Sequence, residues 1–230
     1  MKINPNKSKA LSFMRAWVKD PPNYSLGDQK IPEASCCKYL RIIIQSDLSW
    51  ADQVNYMVQK AWKALHFVMR IVKKGNKNTK ILAYKSLVRP ILEYEAACWD
   101  PYRECQISAL DCVQNKAAKF AHHSGGSDWE SLAQRRKTSC MRVLYKAYTG
   151  ERAWNAIGDD RLQAPRYLSR VNHYWKIRAR KQRTDIGKYS FVNRTITDWN
   201  KLPEGATGTS HSKMRIFKTR VRKVKTSEGK

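Results

Sequence analysis

The chain has 230 residues and carries 45 Lys+Arg against 19 Asp+Glu, a net charge of +26 and a pI near 10.0. A hydrophobic content of 42%, with eight Trp and eleven Tyr, excludes wholesale disorder, and ten Gly and eight Pro exclude collagen-like and low-complexity classes. No run approaches the roughly 18 apolar residues of a membrane span, and the first residues lack the apolar core of a signal peptide, so an intracellular chain, nuclear or cytoplasmic, is expected.

Residues 1–46 read as strands and turns. Leu11–Met14 is a short strand candidate, Asp20–Asn23 a turn, and Tyr24–Ile31 a hairpin turning at Gly27-Asp28. Tyr39–Ile44 reads as one β-branched strand. Ser49-Trp50-Ala51-Asp52 looks like a capping box with Asp for Glu. From Val54 to Val72 apolar residues recur at helical spacing, and Lys73-Lys74-Gly75 closes that helix. A second helix is predicted over Thr79–Trp99, with Leu82, Leu87, Val88, Ile91 and Leu92 inward and a kink at Pro90. A third covers Cys105–His122, Ser124–Ser127 is a linker, and a fourth runs from Asp128 to Gly150. Beyond it come short helices near 151–157 and 190–201, a loop at Leu202–Gly205 and a basic helix over Ser212–Val224. The fold class is therefore α+β, mostly α: a small N-terminal antiparallel β region (1–48), a helical bundle (49–123) and a basic C-terminal segment (124–230).

The charge asks for a polyanionic partner. Residues 151–230 hold 20 Lys+Arg against 7 Asp+Glu, interleaved with Tyr167, Tyr174, Trp175, Tyr189, Phe191 and Trp199. Cations with aromatics suit a phosphate backbone and stackable bases, although such aromatics also build cores. An anionic membrane fits less well, because the basic runs lack a clean apolar face.

Metal and catalytic sites are poorly supported. There is no Cys-x-x-Cys pair, and Cys105 and Cys112 would lie about 10 Å apart along a helix, too far to share one zinc ion. Reduced thiols are the expectation. No phosphate-binding Gly loop or nucleophile elbow occurs. Asp159-Asp160 reads as a solvated turn, and His122-His123 as a helix end.

Several strings do carry a resemblance. They are Ile3 to Lys9; Lys38 to Ile44 followed by Asp47-Leu48-Ser49-Trp50; Val88-Arg89-Pro90-Ile91-Leu92-Glu93-Tyr94 with Trp99; Leu110-Asp111 with Val113 to Ala118; and Lys188-Tyr189-Ser190-Phe191, Trp199-Asn200-Lys201-Leu202-Pro203 and Phe217-Lys218. Together, in this order, they resemble the palm end, thumb and C-terminal segment of the reverse transcriptase of jockey-like non-LTR (LINE) retrotransposons. The resemblance implies an RNA-directed DNA polymerase fragment that binds RNA, an RNA–DNA hybrid or DNA, and takes no small-molecule ligand. In the intact family enzyme Mg²⁺ is held by carboxylates of an upstream Tyr-x-Asp-Asp box and a further Asp, and Met1 falls after all of them. This chain by itself is thus expected to hold no cofactor and not to polymerise.

Carried over by position, Lys7 matches the family's palm lysine, and Tyr39, Leu40 and Arg41 match the primer grip. The helix from Trp50 to Lys74 matches the thumb helix, with Lys60, Lys63, Arg70, Lys73 and Lys74 as phosphate contacts. Arg178, Arg180, Lys181 and Arg183 in the basic tail add sequence-independent grip. The chain departs from the family at Arg41 and Glu95, where the family usually has Gly, at Cys112, where a basic residue is common, and at Gln53, where His is common. Two other readings stay open: a free-standing basic RNA/DNA-binding protein, and a non-functional remnant.

Overall fold

The computed structural model describes residues 4, 7–13, 23–122, 129–148, 162–167, 175–207 and 214–227. The fold is α+β and mostly helical, with two small antiparallel hairpins at its N-terminal end. Among the described residues no helix is long and apolar enough to cross a membrane. The chain divides into two compact units, Met1–Leu92 with Arg103–Ala121, and Glu93–Tyr102 with His122–Lys230.

The first unit opens with strands β1 (Ser25–Leu26) and β2 (Gln29–Lys30), paired antiparallel around Gly27-Asp28. Gly27 has φ 61°, and glycine at the first of two turn residues is what a tight hairpin of this kind asks for. Ala10 pairs in parallel with Glu33 in an isolated bridge, while Leu11–Phe13 form no strand. The expected turn at Asp20–Asn23 lies largely outside the described residues.

The single strand expected over Tyr39–Ile44 is instead a second hairpin. Strands β3 (Cys36–Tyr39) and β4 (Ile42–Gln45) pair antiparallel, with Tyr39 opposite Ile42. Leu40 (φ 48°) and Arg41 (φ 67°) are the two turn residues, both left-handed. A turn of this geometry matches the strand twist and normally carries Asn-Gly, so Leu-Arg gives no turn signal in the sequence.

Helix α1 (Ala51–Ile71) starts after Trp50, not at Ser49. No capping box forms. Asp47 Oδ1 accepts the Ser49 N–H at 2.8 Å and Ser49 Oγ the Ala51 N–H at 3.3 Å, while Asp52 accepts from Gln45 at 2.8 Å. The face carrying Val54, Met57, Ala61, Leu65 and Val68 is buried, at roughly 1.5–3 kcal/mol per large side chain. Gln53 is also fully buried, and its Oε1 accepts the Ile43 N–H at 2.9 Å, tying β4 to the helix.

The predicted second helix is broken into pieces: α2 (Lys77–Ala83), a π-helical turn (Tyr84–Val88), α3 (Arg89–Glu93) and α4 (Ala96–Trp99). Pro90 removes a helical N–H and crowds the preceding turn, and the wider π turn lies directly ahead of it. The wider turn also moves the buried face to Lys80, Tyr84, Val88 and Leu92, at steps of four. Leu82 and Leu87, expected inside, are exposed. Tyr84 Oη donates to Gln114 Oε1 at 3.3 Å, and Lys80 Nζ lies 4.7 Å over the Phe120 ring. Both partners are on α5 (Glu104–His122), whose Leu110, Val113, Ala117 and Ala121 are buried as expected.

The second unit is built on α6 (Leu132–Tyr148), α7 (Asp185–Lys188), α8 (Phe191–Asn200), α9 (Glu204–Thr207) and α10 (Met214–Ser227). Trp199, Leu202 and Phe217 lie at the centre of one cluster with Met141, Leu144, Tyr145 and Ile196. Residues expected as a loop after Leu202 form the helical turn α9, with Ala206 N–H bonded to Pro203 O at 2.9 Å. The linker at Ser124–Ser127 and the short helix near 151–157 lie outside the described residues.

Three arginines that enter this unit are paired with carboxylates. Arg135 binds Glu93, and Arg136 donates from Nε to Asp100 Oδ1 at 2.6 Å while stacking 4.1 Å over Trp99. Arg194 also binds Asp100, at 3.0 Å. Asp100→Ala strands a buried guanidinium, so a loss of about 3 kcal/mol is expected in urea unfolding. Glu95 is left-handed at φ 45° without a capping bond of its side chain. Glu95→Gly is expected to raise the stability measured in the same unfolding experiment by about 1 kcal/mol, because glycine adopts this backbone without a Cβ clash.

Candidate nucleic-acid interface

All thirteen sequence-predicted site residues are exposed. Lys7 sits in a single tight turn, its N–H bonded to Asn4 O at 3.1 Å. Tyr39, Leu40 and Arg41 form the tip of the second hairpin, and Lys60, Lys63, Arg70, Lys73 and Lys74 run along α1 and past its end. These belong to the first unit. Arg178, Arg180, Lys181 and Arg183 belong to the second and lie on an irregular segment.

That segment is held at its start. Asn200 clamps Ile177 from both sides of its backbone, accepting its N–H at 2.9 Å and donating to its carbonyl at 2.7 Å. Trp199 Nε1 donates to Trp175 O at 2.6 Å. The Trp-Asn pair thus fixes where the exposed basic residues leave the core. The aromatics interleaved with this charge are mostly packing groups. Trp199 is buried, Trp175 packs against the same core and Tyr189 stacks on Tyr102 at 4.2 Å. Tyr167, 90% exposed, is the one whose ring stands open to solvent among the described members of that set; Tyr174 lies outside the described residues.

In the first unit the hairpin and α1 bring cations together. Lys38 Nζ donates to Tyr56 Oη at 3.1 Å and lies 4.4 Å from its ring centre. The hydrogen bond and charge of Lys38 hold the Tyr56 phenol below its ordinary range, and the charges of Lys60 and Arg41 act in the same direction. Lys38 is thus the cation in direct contact with this hydroxyl. Neither Lys38 nor Tyr56 is marked as a site residue by the sequence, because the hairpin that swings Lys38 against α1 has no sequence signal.

A broader signal is present in the sequence itself. Residues 53–92 hold nine Lys/Arg and no Asp or Glu. Of these nine, Lys80 is buried and the others remain at least partly exposed. The outward side of α1 also exposes Phe67 and Ile71, and an open recess of about 630 Å³ is lined by Lys63, His66, Met69 and Arg70.

Among the described residues no group of three or more His, Cys, Asp or Glu is arranged to hold a metal ion. Asp159-Asp160 lies outside the described residues. Burial pushes the Cys140 thiol up to about 12, which keeps it protonated and unreactive at neutral pH. Burial also raises Cys98, with Glu95 adding to it. No family model, curated protein or solved structure matches the chain.

The Tyr56 cluster gives a direct test. In NMR titration of ¹³C-labelled tyrosines, with the Tyr56 resonance assigned by Tyr56→Phe, Lys38→Gln is expected to move the Tyr56 pKa upward. The substitution replaces the charged donor with a neutral amide and removes the cation beside the phenol. An unchanged Tyr56 titration would mean that the hairpin does not hold Lys38 on this phenol.

Proposed function

We propose that this chain is the thumb and C-terminal part of a jockey-like non-LTR retrotransposon reverse transcriptase, and that it binds template–primer nucleic acid through α1 and the hairpin beside it. The observation that carries the reading is the carboxylate-free stretch of residues 53–92. Three of its nine cations, Lys60, Lys63 and Arg70, stand on the 21-residue helix α1 and face solvent, and the exposed Lys73 and Lys74 follow directly after it. A fixed row of exposed cations with no counter-charge in the same stretch is the footprint of a phosphate backbone.

Two further observations favour this family over an unrelated basic protein. Arg41 and Glu95 stand where the family usually has glycine, and both have left-handed backbones that glycine adopts without strain. The residues of the Trp-Asn-x-Leu-Pro and Phe-Lys strings supply one core in Trp199, Leu202 and Phe217, with Asn200 bracing the segment beside it. They therefore act together as packing groups, although they are separated in sequence. No Tyr-x-Asp-Asp string occurs among the 230 residues, so the proposed role is binding and positioning, with the nucleotidyl transfer left to carboxylates outside this sequence.

Fluorescence anisotropy with a labelled RNA–DNA hybrid tests the reading. A Kd on the order of 10⁻⁴–10⁻⁶ M at physiological salt is the charge-only expectation. Tighter binding to the hybrid than to heparin of equal charge supports a template–primer surface. In Lys63→Gln/Arg70→Gln the slope of log K against log salt should become shallower by about 0.9 for each phosphate that is no longer neutralised. A slope identical to that of the parent chain would remove α1 from the interface.

A further inference from the structure

The open recess on α1 has a composition that phosphate binding alone does not call for. Trp62, His66 and Arg70 recur at steps of four, so their side chains follow one another along one face of the helix. The Trp62 and His66 rings are 5.4 Å apart and tilted by 47°. The next member is the planar guanidinium of Arg70. Among the described residues the recess, broadly open to solvent, is lined by Lys63, His66, Met69 and Arg70. It thus brings an imidazole face, a thioether, a planar cation and a flexible ammonium together beside one open space of about 630 Å³. His66 and Arg70 are exposed, and Met69 is half-buried.

We infer that this recess takes one unpaired nucleobase of a bound nucleic acid. The base stacks on the His66 ring with the Arg70 guanidinium beside it, Met69 forms the apolar floor, and Lys63 meets the adjoining phosphate. The inference rests on the nucleic-acid reading above and adds a ligand class to it: a strand with a single-stranded end or gap, rather than a continuous duplex. The chemistry follows from the donor set. Bases in a duplex present only their edges, and an unstacked base presents a π face, which imidazole and guanidinium planes accept. A purely electrostatic contact would need neither His66 nor Met69. Charge complementarity selects a nucleic acid over an uncharged aromatic ligand, because Lys63 and Arg70 flank the hollow and residues 53–92 contain no carboxylate.

The experiment compares two labelled RNA–DNA hybrids of equal length, one blunt and one with a short unpaired 3′ overhang, in anisotropy titrations of the full chain. The parent chain should bind the overhang hybrid about tenfold more tightly, the scale of one base stacked on a planar side chain. His66→Ala should abolish that preference and leave the blunt hybrid unchanged. Lys63→Gln should weaken both. As an independent readout, 2-aminopurine placed in the overhang should change its fluorescence on binding the parent chain and not His66→Ala, with circular dichroism confirming that the variant keeps its helices. Equal binding of the two hybrids by the parent chain, or an overhang preference that survives His66→Ala, overturns the recess while leaving the basic interface standing. Binding of neither hybrid overturns both.

Discussion

The disposal of positive charge governs this molecule. Each cation must stay in water or find one of few carboxylates, since burying an unpaired charge costs several kcal/mol. The structure uses both solutions. In the second unit Arg135, Arg136 and Arg194 are taken up by Glu93 and Asp100, with Trp99 as a π partner for one of them. In the first, the long helix keeps a narrow buried stripe and leaves Lys60, Lys63, Arg70, Lys73 and Lys74 outside. Lys80 is the exception, buried against the Phe120 ring. The first solution makes a core; the second leaves a charged surface whose field is neutralised only by ions or a partner.

What anchors the charged helix is a single buried amide. Gln53 accepts the Ile43 N–H, and through it the second hairpin is joined to the first turn of α1. The same junction sets Lys38 against Tyr56 and puts Arg41 in range of it. The Gln53 Nε2 atom is buried without a hydrogen-bond partner in the structure, so this joint carries a desolvation cost beside its one good bond. A side chain that accepts equally well and buries no second donor would serve the contact with less penalty.

Periodicity made the long helices legible, because α1, α5 and α6 each bury one stripe at helical spacing. Their ends and interruptions were less so. The π turn ahead of Pro90 changes the spacing from 3.6 to about four, and that exchange put Leu82 and Leu87 on the wrong side. The Leu40-Arg41 turn is invisible because its backbone is one that glycine or asparagine usually announces. The candidate site followed the same division. The lysines and arginines of α1 were picked out by the resemblance, position by position, and the structure leaves Lys60, Lys63 and Arg70 exposed. The Tyr56 cluster was not, since it depends on a hairpin with no turn signal. Trp175, Tyr189 and Trp199 looked like stacking platforms and are packing groups, a distinction that burial makes and composition does not.

Four non-glycine residues are left-handed, Leu40, Arg41, Leu48 and Glu95, and the two charged ones differ in what accompanies the strain. At Glu95 the side chain adds a carboxylate beside Cys98 and raises that thiol. No cap bond of its own accompanies the strained φ. At Arg41 the same backbone cost, about 1–2 kcal/mol by steric reasoning, places a guanidinium at the hairpin tip where its charge reaches Tyr56. Glycine at 41 would relax the turn and lose that charge. Leu40 and Leu48 adopt the same left-handed backbone without any charge, so the strain belongs to the turns themselves and the guanidinium at 41 is added to one of them.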